Sequence, residues 1–354
     1  MGLTIRFTFD PPTPYHTLKF HINRGIKQKL FDREHSRSAM PALLAEMSAG
    51  IKMLTQIPEN YSIVVLPSKL FAFSILQHLY SPGTLIYPVH PSVTVSPYIE
   101  ITDSGLITKA ILPGKFTTIS HQLKSRYLIC RDADPSSGYA LKIPDLISLK
   151  ISHPDIHLLL DLSSSFMNFP LDLENIDGYL FESGYVTGMQ PAITILILRD
   201  PLFQSVQNNW KNNFYHLLPG REKDYPGIIV HRETDAVRLF VFKEICYDLI
   251  RRDPKIIRNE TIYKSIILYE ALEKSDHFKL LVPDQQDRSP NIITASMISS
   301  PEIILSIFAK KGILFDLIPR ENEGYIARFS NFPVHSREQT EHLADTIAGM
   351  RFIQ

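Results

Sequence analysis

One segment of the sequence combines residue types that could do chemistry. An apolar run from His157 ends at Asp161 and is followed by three serines, Ser163–Ser165. An acid at the carboxyl end of a buried strand, followed by small hydroxyl residues, is a common way for an α/β sheet to present a site for a polar ligand. A lone acid in this place is more often a turn residue or helix cap, and the serines lack the flanking glycines of a nucleophile elbow. The segment therefore predicts a polar site and does not indicate a hydrolase.

Two other patterns are better explained by structure than by chemistry. Gly114–Thr117 imitates the end of a phosphate-binding loop, but Lys109 stands where its first glycine belongs. His153 and His157 have the spacing of helical metal ligands, yet Pro154 interrupts that helix. We therefore expect a turn, a loop entering a strand and no metal site.

The composition narrows the class of protein. The chain has 354 residues, 44% of them hydrophobic, and its 37 basic and 37 acidic residues balance. Balanced charge gives no field that favours nucleic acid or an anionic membrane, and no signal peptide or long apolar run is visible. Cys130 and Cys246 lie in apolar contexts, which favours free buried thiols in a reducing compartment. We therefore expect a cytoplasmic globular protein.

Strand and helix patterns alternate along most of the chain. Short apolar runs at residues 61–66, 84–88, 127–130 and 158–160 are typical of buried strands and have helical or irregular segments between them. This alternation predicts an α/β domain with a mainly parallel sheet. After two long helices, at 234–251 and 255–274, the pattern changes to that of a smaller α+β domain.

Boundaries follow from these changes in pattern. We expect an N-terminal arm over residues 1–15, a large domain over 16–255 and a small domain over 256–354. Pro41 is expected in the first turn of a helix that ends near Leu54, because proline fits the first turn of a helix.

Motifs spread over nearly the whole chain resemble the phosphoserine aminotransferase branch of the class V, fold-type I pyridoxal-phosphate (PLP) enzymes. They run in the order of that family, and they include FTFDPP at 7–12, HSRS at 35–38, ADPSSG at 133–138, DLSS at 161–164, DRSPN at 287–291 and RFS at 328–330. The resemblance implies a PLP-transferase-like large domain, a small C-terminal domain and a homodimer with sites at the subunit interface.

The resemblance also implies roles for individual residues. An aspartate of the family keeps the cofactor's pyridine nitrogen protonated, and Asp161 holds that position. The other cofactor-binding positions fall on Ser68, Lys69, Ser136 and Thr234, the last of which would face the partner's site. The positions that bind the substrate carboxylate fall on Arg37 and Arg328.

The sequence departs from the family where the chemistry is done. The position of the lysine that bonds covalently to PLP falls on Tyr185, and no lysine occurs between Lys150 and Lys211. Pro67 removes a donor from the phosphate turn, and the aromatic residue that stacks on the cofactor has become Ile107.

We therefore expect a degenerate phosphoserine-aminotransferase-like protein that is not a competent transaminase. PLP would bind non-covalently at best, and we expect no bound cofactor. The cleft would take a small anionic ligand, or the chain would regulate or pair with a partner, as a homodimer or with an active paralogue. The alternatives are a PLP-dependent aminotransferase, a repurposed enzyme with Tyr185 as acid or base, and a purely structural subunit. In the simplest interpretation of Tyr185, its ring fills the volume of the lysine.

Overall fold

The computed structural model describes most of the chain. The described residues are 4–8, 14–30, 32–80, 83–88, 100–101, 107–111, 127–167, 175–210, 217–218, 228–231, 234–320 and 324–350, with the backbone alone at 33–37, 74, 77–80, 83–88, 100–101, 107–111, 206–210 and 217–218. Within these ranges the strands form two sheets.

The larger sheet has ten strands. In chain order they are β2 (Tyr61–Leu66), β3 (Gly83–Pro88), β4 (Glu100–Ile101), β5 (Ile107–Ile111), β6 (Tyr127–Arg131), β7 (His157–Asp161), β8 (Gly178–Glu182), β9 (Thr194–Arg199), β10 (Leu217–Leu218) and β11 (Ile228–His231). Their spatial order is β10-β11-β2-β9-β8-β7-β6-β3-β5-β4. The pairs β6–β7 and β7–β8 are parallel, as are the pairs of β3 with β5 and β6. The mainly parallel sheet predicted from the alternating pattern is confirmed.

β9 runs against both of its neighbours, β2 and β8. Thr194 at its start pairs with both Leu66 and Glu182, which lie at the carboxyl ends of those strands. The chain therefore turns back directly after β8 instead of crossing over the sheet. The short helix α5 (Gly184–Thr187) forms within this return.

The smaller sheet has five strands in the order β1-β14-β15-β13-β12. They are β1 (Ile5–Phe7), β12 (Phe278–Leu280), β13 (Ile292–Met297), β14 (Ile313–Pro319) and β15 (Tyr325–Ser330). β1 pairs with β14 in parallel, so the N-terminal segment closes one edge of a sheet that otherwise comes from the C-terminal part of the chain.

Helices cover these sheets. The longer ones are α1 (Leu18–Lys27), α2 (Arg33–Thr55), α3 (Lys69–Tyr80), α4 (Ile143–Ser152), α6 (Asp200–Trp210), α7 (Ala236–Arg251), α8 (Pro254–Glu273), α9 (Pro301–Lys310) and α10 (Arg337–Gly349). Alternate residues of β2 enter different cores: Ile63 and Val65 pack with α2 and α7, whereas Val64 and Leu66 pack with α3 and α6. A sheet buried on both faces explains why the strands read as continuous apolar runs.

The start of α2 differs from the sequence prediction. The helix begins at Arg33, so Pro41 lies inside it rather than in its first turn. A proline within a helix removes one backbone hydrogen bond. Met47, Ile51 and Leu54 of this helix are buried in the core that it shares with α7, and that burial holds the helix in place around the proline.

A buried lysine lies where α8 meets the small sheet. Lys264 Nζ donates to the carbonyl oxygens of Phe332 at 3.1 Å and His335 at 2.8 Å. His335 Nδ1 accepts from the Phe332 amide at 3.0 Å, so its Nε2 donates to the Arg6 carbonyl at 2.8 Å. Burial lowers the pKa of Lys264 to about 7 and the pKa of His335 to about 3. The N-terminal strand is therefore fixed by a neutral histidine.

Cys130 in β6 and Cys246 in α7 are both buried and free, as the sequence predicted. Over the described ranges, no helix has the length and apolar character needed to cross a membrane.

Candidate functional site

The site lies where several strands end at one edge of the large sheet. Lys69 begins α3 just after β2, Arg131 ends β6, Asp161 ends β7 and Glu182 ends β8. Because these strands point the same way, their carboxyl ends meet, and polar side chains placed there converge. They line a cavity of about 110 Å³ together with Asp132, Ser163 and Tyr185.

Asp161 and Lys69 form an ion pair at the centre of this edge. Lys69 Nζ lies 2.5 Å from Asp161 Oδ2, and the Asp161 side chain is 1% exposed. Lys69 Nζ also donates to Ser163 Oγ at 3.0 Å, and the Ser163 hydroxyl donates to Asp161 Oδ1 at 2.7 Å. The predicted strand-end acid and the first of its serines are thus joined to a lysine from a distant part of the sequence.

Arg131 is the second cation beside Asp161. Its Nε lies 3.4 Å from Asp161 Oδ2, and a third of its side chain is exposed. Burial alone raises the pKa of Asp161, but the charges of Lys69 and Arg131 and the hydrogen bonds from Lys69 and Ser163 outweigh it. The pKa of Asp161 therefore lies below its ordinary value. Asp161 is an anion at neutral pH.

Asp132 is a second carboxyl group with the opposite behaviour. The Ser164 hydroxyl lies 2.8 Å from Asp132 Oδ1 and 3.0 Å from Oδ2. Burial raises the pKa of Asp132 to about 6, and the negative charge of Asp161 adds to this effect. Of these two carboxyl groups, Asp161 stays ionised at neutral pH and Asp132 holds its proton up to a pH closer to neutral.

Tyr185 lies on α5, in the return between β8 and β9. Its ring centroid is 5.0 Å from that of Phe332, which follows β15 of the small sheet. The Tyr15 amide donates to the carbonyl oxygen of Thr187 at 2.9 Å, so the N-terminal segment holds the end of the same helix. The residue predicted at the lysine position is therefore on the cavity wall.

The turn at residues 133–138 joins the cavity to the small sheet. Asp134 accepts hydrogen bonds from the amides of Ser136 and Ser137, both at 3.0 Å. Gly138 has a positive φ of 72°, and a Cβ there would lie 2.4 Å from the Ile292 carbonyl oxygen, so only glycine allows this approach. The predicted cofactor residue Ser136 is exposed on this turn.

Arg328 lies behind the same turn and is paired with an acid. Its Nε and Nη2 lie 3.0 and 2.9 Å from Asp316 Oδ2, across the β14–β15 pair. Its Nη1 donates to the Pro135 carbonyl oxygen at 2.9 Å. The predicted substrate-binding arginine thus contacts the wall of the cavity from outside, and its role as a carboxylate ligand stays a prediction.

Two further predicted residues, Ser68 and Thr234, do not line the cavity, and the side chain of a third is not described. Ser68 lies in the turn between β2 and α3, where its carbonyl oxygen accepts from the Phe71 amide at 3.2 Å. Thr234 is buried shortly before α7, with 4% of its surface exposed. Arg37 lies in α2, but its side chain is outside the described part of the structure, as is that of Ile107 in β5.

Arg131, Asp132 and Glu182 complete the site and were not predicted. A signal was present, because Arg131 and Glu182 end strands that lie on either side of the Asp161 strand. Comparing the last residue of each parallel strand would have found Arg131 and Glu182. No group of three or more His, Cys, Asp or Glu residues that could hold a metal ion occurs among the described residues.

Comparison with known proteins finds similarity in structure alone. No family model matches the sequence, and no curated protein matches it. Among solved structures, a phosphoserine aminotransferase from Cytophaga hutchinsonii has a TM-score of 0.83 and 19% sequence identity, and the similarity covers 100% of both chains.

Other similar structures are aminotransferases as well. An alanine–glyoxylate aminotransferase from a Nostoc species has a TM-score of 0.73 at 14% identity, covering 99% of this chain and 95% of the other. A PLP-bound phosphoserine aminotransferase from Trichomonas vaginalis has a TM-score of 0.71 at 11% identity, covering 97% and 99%. The chain has the fold-type I PLP-transferase fold of the class V aminotransferases.

Proposed function

We propose that this protein is an aminotransferase-like protein that is not a competent transaminase and that binds a small anionic ligand without a covalent bond. The observation that carries the proposal is the ion pair of Lys69 with Asp161, at 2.5 Å. By the resemblance, the pyridine nitrogen of the cofactor would lie next to Asp161, where the ammonium group of Lys69 lies in this structure.

The described residues of the cavity do not fit PLP bound in the manner of the family. A protonated pyridine nitrogen would compete with Lys69 for Asp161 Oδ2, and Arg131 lies 3.4 Å from the same oxygen. Two positive charges about 4 Å apart repel each other by about 4 kcal/mol at an effective dielectric constant of about 20. A cationic ring is therefore disfavoured beside Asp161.

Tyr185 adds to this argument. It lines the cavity at the position where the resemblance expects the covalent lysine, and its ring packs near Phe332. A phenol forms no imine, and the loss of an acid–base group alone typically slows a reaction about 10²- to 10⁴-fold. Among the described residues of the cavity wall, the one lysine is Lys69. Its ammonium group forms an ion pair with Asp161 and donates a hydrogen bond to Ser163.

Arg131 is the cation best placed for an anionic ligand. A guanidinium has five N–H donors, and the contact of Arg131 with Asp161 is made through Nε at 3.4 Å. A third of the side chain is exposed, and the residue lines the cavity. The cavity volume of about 110 Å³ is below the roughly 300–1,000 Å³ of pockets that bind drug-sized ligands. Both observations favour a phosphate-sized anion.

The main test asks whether PLP becomes attached. The purified protein is incubated with PLP, reduced with borohydride and measured by intact mass and peptide mapping, with the Cytophaga hutchinsonii enzyme treated in parallel. We expect no stoichiometric adduct in this protein and no transfer of the amino group of phosphoserine. A yellow preparation that transaminates would contradict the proposal.

A second test concerns the anion. We expect Arg131→Gln to weaken the binding of inorganic phosphate or phosphoserine about 10- to 100-fold in isothermal titration, because a charge-assisted hydrogen bond contributes roughly 1.5–3 kcal/mol. Arg320→Gln, at an exposed arginine that directly follows β14, is the matched control and should leave the affinity unchanged. Equal phosphate affinity in wild type and Arg131→Gln would exclude this arginine as the anion ligand.

A second candidate function is acid–base chemistry in the same cavity without PLP. The observation in its favour is the opposite shift of two neighbouring carboxyl groups, since the pKa of Asp161 is lowered and that of Asp132 is raised to about 6. Such a pair is typical of sites that combine a proton donor with a charged group. Tyr185→Phe discriminates, because it removes the phenolic proton and keeps the ring beside Phe332. Full activity in that variant would remove Tyr185 from the chemistry.

We also propose an assembly for this function, either a homodimer or a heterodimer with an active paralogue. The support is the resemblance to a dimeric family. Sedimentation of the purified chain, alone and with the paralogue, measures the assembly, and a monomer under both conditions would contradict it.

A further inference from the structure

We infer that Lys69 is the specificity-determining residue that closes this cleft to ligands with a cationic pyridine ring, by keeping its own ammonium group on Asp161. The inference rests on the proposed function, which denies the cleft a covalent cofactor. It goes further by naming the residue and by stating which ligands its removal would admit.

Lys69 is held on Asp161 by three groups from the ends of two strands. Its Nζ lies 2.5 Å from Asp161 Oδ2 at the end of β7, 3.0 Å from Ser163 Oγ just after that strand and 3.9 Å from Glu182 Oε2 at the end of β8. Only 16% of its side chain is exposed. Since Lys69 is the first residue of α3, its backbone is also fixed by a helix. The ammonium is thus part of the cavity wall and is not a mobile surface charge.

Removing this ammonium would change the charge of the cavity. Asp161 would keep Arg131 at 3.4 Å but would lose the shorter of its two ion pairs. Glu182 would lose its contact with the same ammonium. A buried carboxylate that loses a partner favours a replacement cation, and a protonated pyridine nitrogen can donate to the same oxygen.

The probe must report non-covalent binding of the ring. Pyridoxine 5′-phosphate has the pyridine ring and the phosphate but no aldehyde, so it cannot form an imine. Benzyl phosphate keeps the phosphate and lacks the ring nitrogen. Binding of both is measured by isothermal titration to wild type, Lys69→Met, Lys69→Arg and Lys150→Met. Lys150 is the matched control, because it forms a lysine–aspartate pair of 2.8 Å with Asp177, which precedes β8, away from the cavity.

We expect Lys69→Met to bind pyridoxine 5′-phosphate at least about tenfold more tightly than wild type. Benzyl phosphate should show no such gain, and Lys69→Arg and Lys150→Met should bind as wild type does. Thermal unfolding is followed for each variant. If Lys69→Met does not fold, Lys69→Gln carries the same expectation, because it also removes the charge.

The outcomes separate this inference from the proposed function. If Lys69→Met binds pyridoxine 5′-phosphate no more tightly than wild type, or more weakly, the inference is overturned while the absence of a PLP adduct in wild type still supports the proposed function. An equal gain for benzyl phosphate would also overturn it, since the ring nitrogen would then play no part. A reduced PLP adduct in wild type would instead overturn the proposed function.

Discussion

Replacing Lys264 with methionine is expected to abolish a rise in stability that the wild-type protein shows as the pH increases from 7. Lys264 is buried, and burial lowers its pKa from 10.5 to about 7 in the folded protein. Between these two values the unfolded chain binds a proton that the folded chain does not bind. The free energy of unfolding therefore increases with pH in this window, and the contribution is absent below it.

The expected size of this effect follows from the range of pH over which the free energy of unfolding can be measured. Each pH unit contributes about 1.4 kcal/mol, so wild type should gain about 3 kcal/mol relative to Lys264→Met between pH 7 and about 9.5. Methionine has a similar length and no charge, but it leaves the carbonyl oxygens of Phe332 and His335 without this donor. The comparison therefore uses the difference in pH slope and not the absolute stability.

Urea denaturation at several pH values measures this slope. Lys255→Met, at an exposed lysine of the same helix, is the control and should keep the wild-type slope. Parallel pH profiles for wild type and Lys264→Met would show that Lys264 stays protonated in the folded state and would contradict the prediction.

Asp161→Asn is expected to destabilise the protein by about 3 kcal/mol at pH 7. The asparagine leaves Lys69 and Arg131 without their shared negative partner. Removing one member of a buried ion pair typically costs about 3–5 kcal/mol, and the partial exposure of Arg131 places this site at the lower end. Asp155→Asn, at an exposed aspartate just before the same strand, should change stability by less than about 0.5 kcal/mol.

The pH dependence gives an independent measure of the same carboxylate. Because the pKa of Asp161 is lowered in the folded state, its contribution is complete above the unfolded value of about 4 and is lost as the pH falls through the folded value. The difference between wild type and Asp161→Asn should therefore shrink on acidification below about pH 4. A difference that stays constant there would contradict the ion-pair explanation.

Much of the large sheet could be predicted from the sequence, for a physical reason. Strands buried on both faces require uninterrupted apolar runs, and β2, β6 and β7 lie within a residue of where these runs were read. Asp161 was identified because it ends a buried apolar run, is followed by small hydroxyl residues and holds the position of the cofactor aspartate in the family resemblance. The resemblance to the fold-type I family rested on the order and spacing of motifs along the chain. The backbone fold fixes this order and spacing even where individual side chains differ.

The contacts of the site depended on the third dimension. The sequence placed Lys69 in a phosphate turn, but its distance to Asp161 is set by the strand order β2-β9-β8-β7, which no local pattern reveals. The resemblance implies that Arg328 binds the substrate carboxylate, whereas its pairing with Asp316 follows from the β14–β15 register. The internal position of Pro41 likewise depended on packing against α7, which overrides a local preference.

The direction of β9 has a consequence for how this cleft can change. The return from β8 is anchored at both ends, because the Ser183 amide donates to the Ile193 carbonyl at 2.8 Å and the Ser183 hydroxyl accepts from the Ile193 amide at 2.9 Å. Residue 185 thus lies in a stretch of backbone whose two ends are hydrogen-bonded to each other, next to the ends of four strands. Because neither of these hydrogen bonds involves residue 185, its side chain can differ while the two ends of the return stay joined. The chain architecture thus separates the identity of this side chain from the closure of the return.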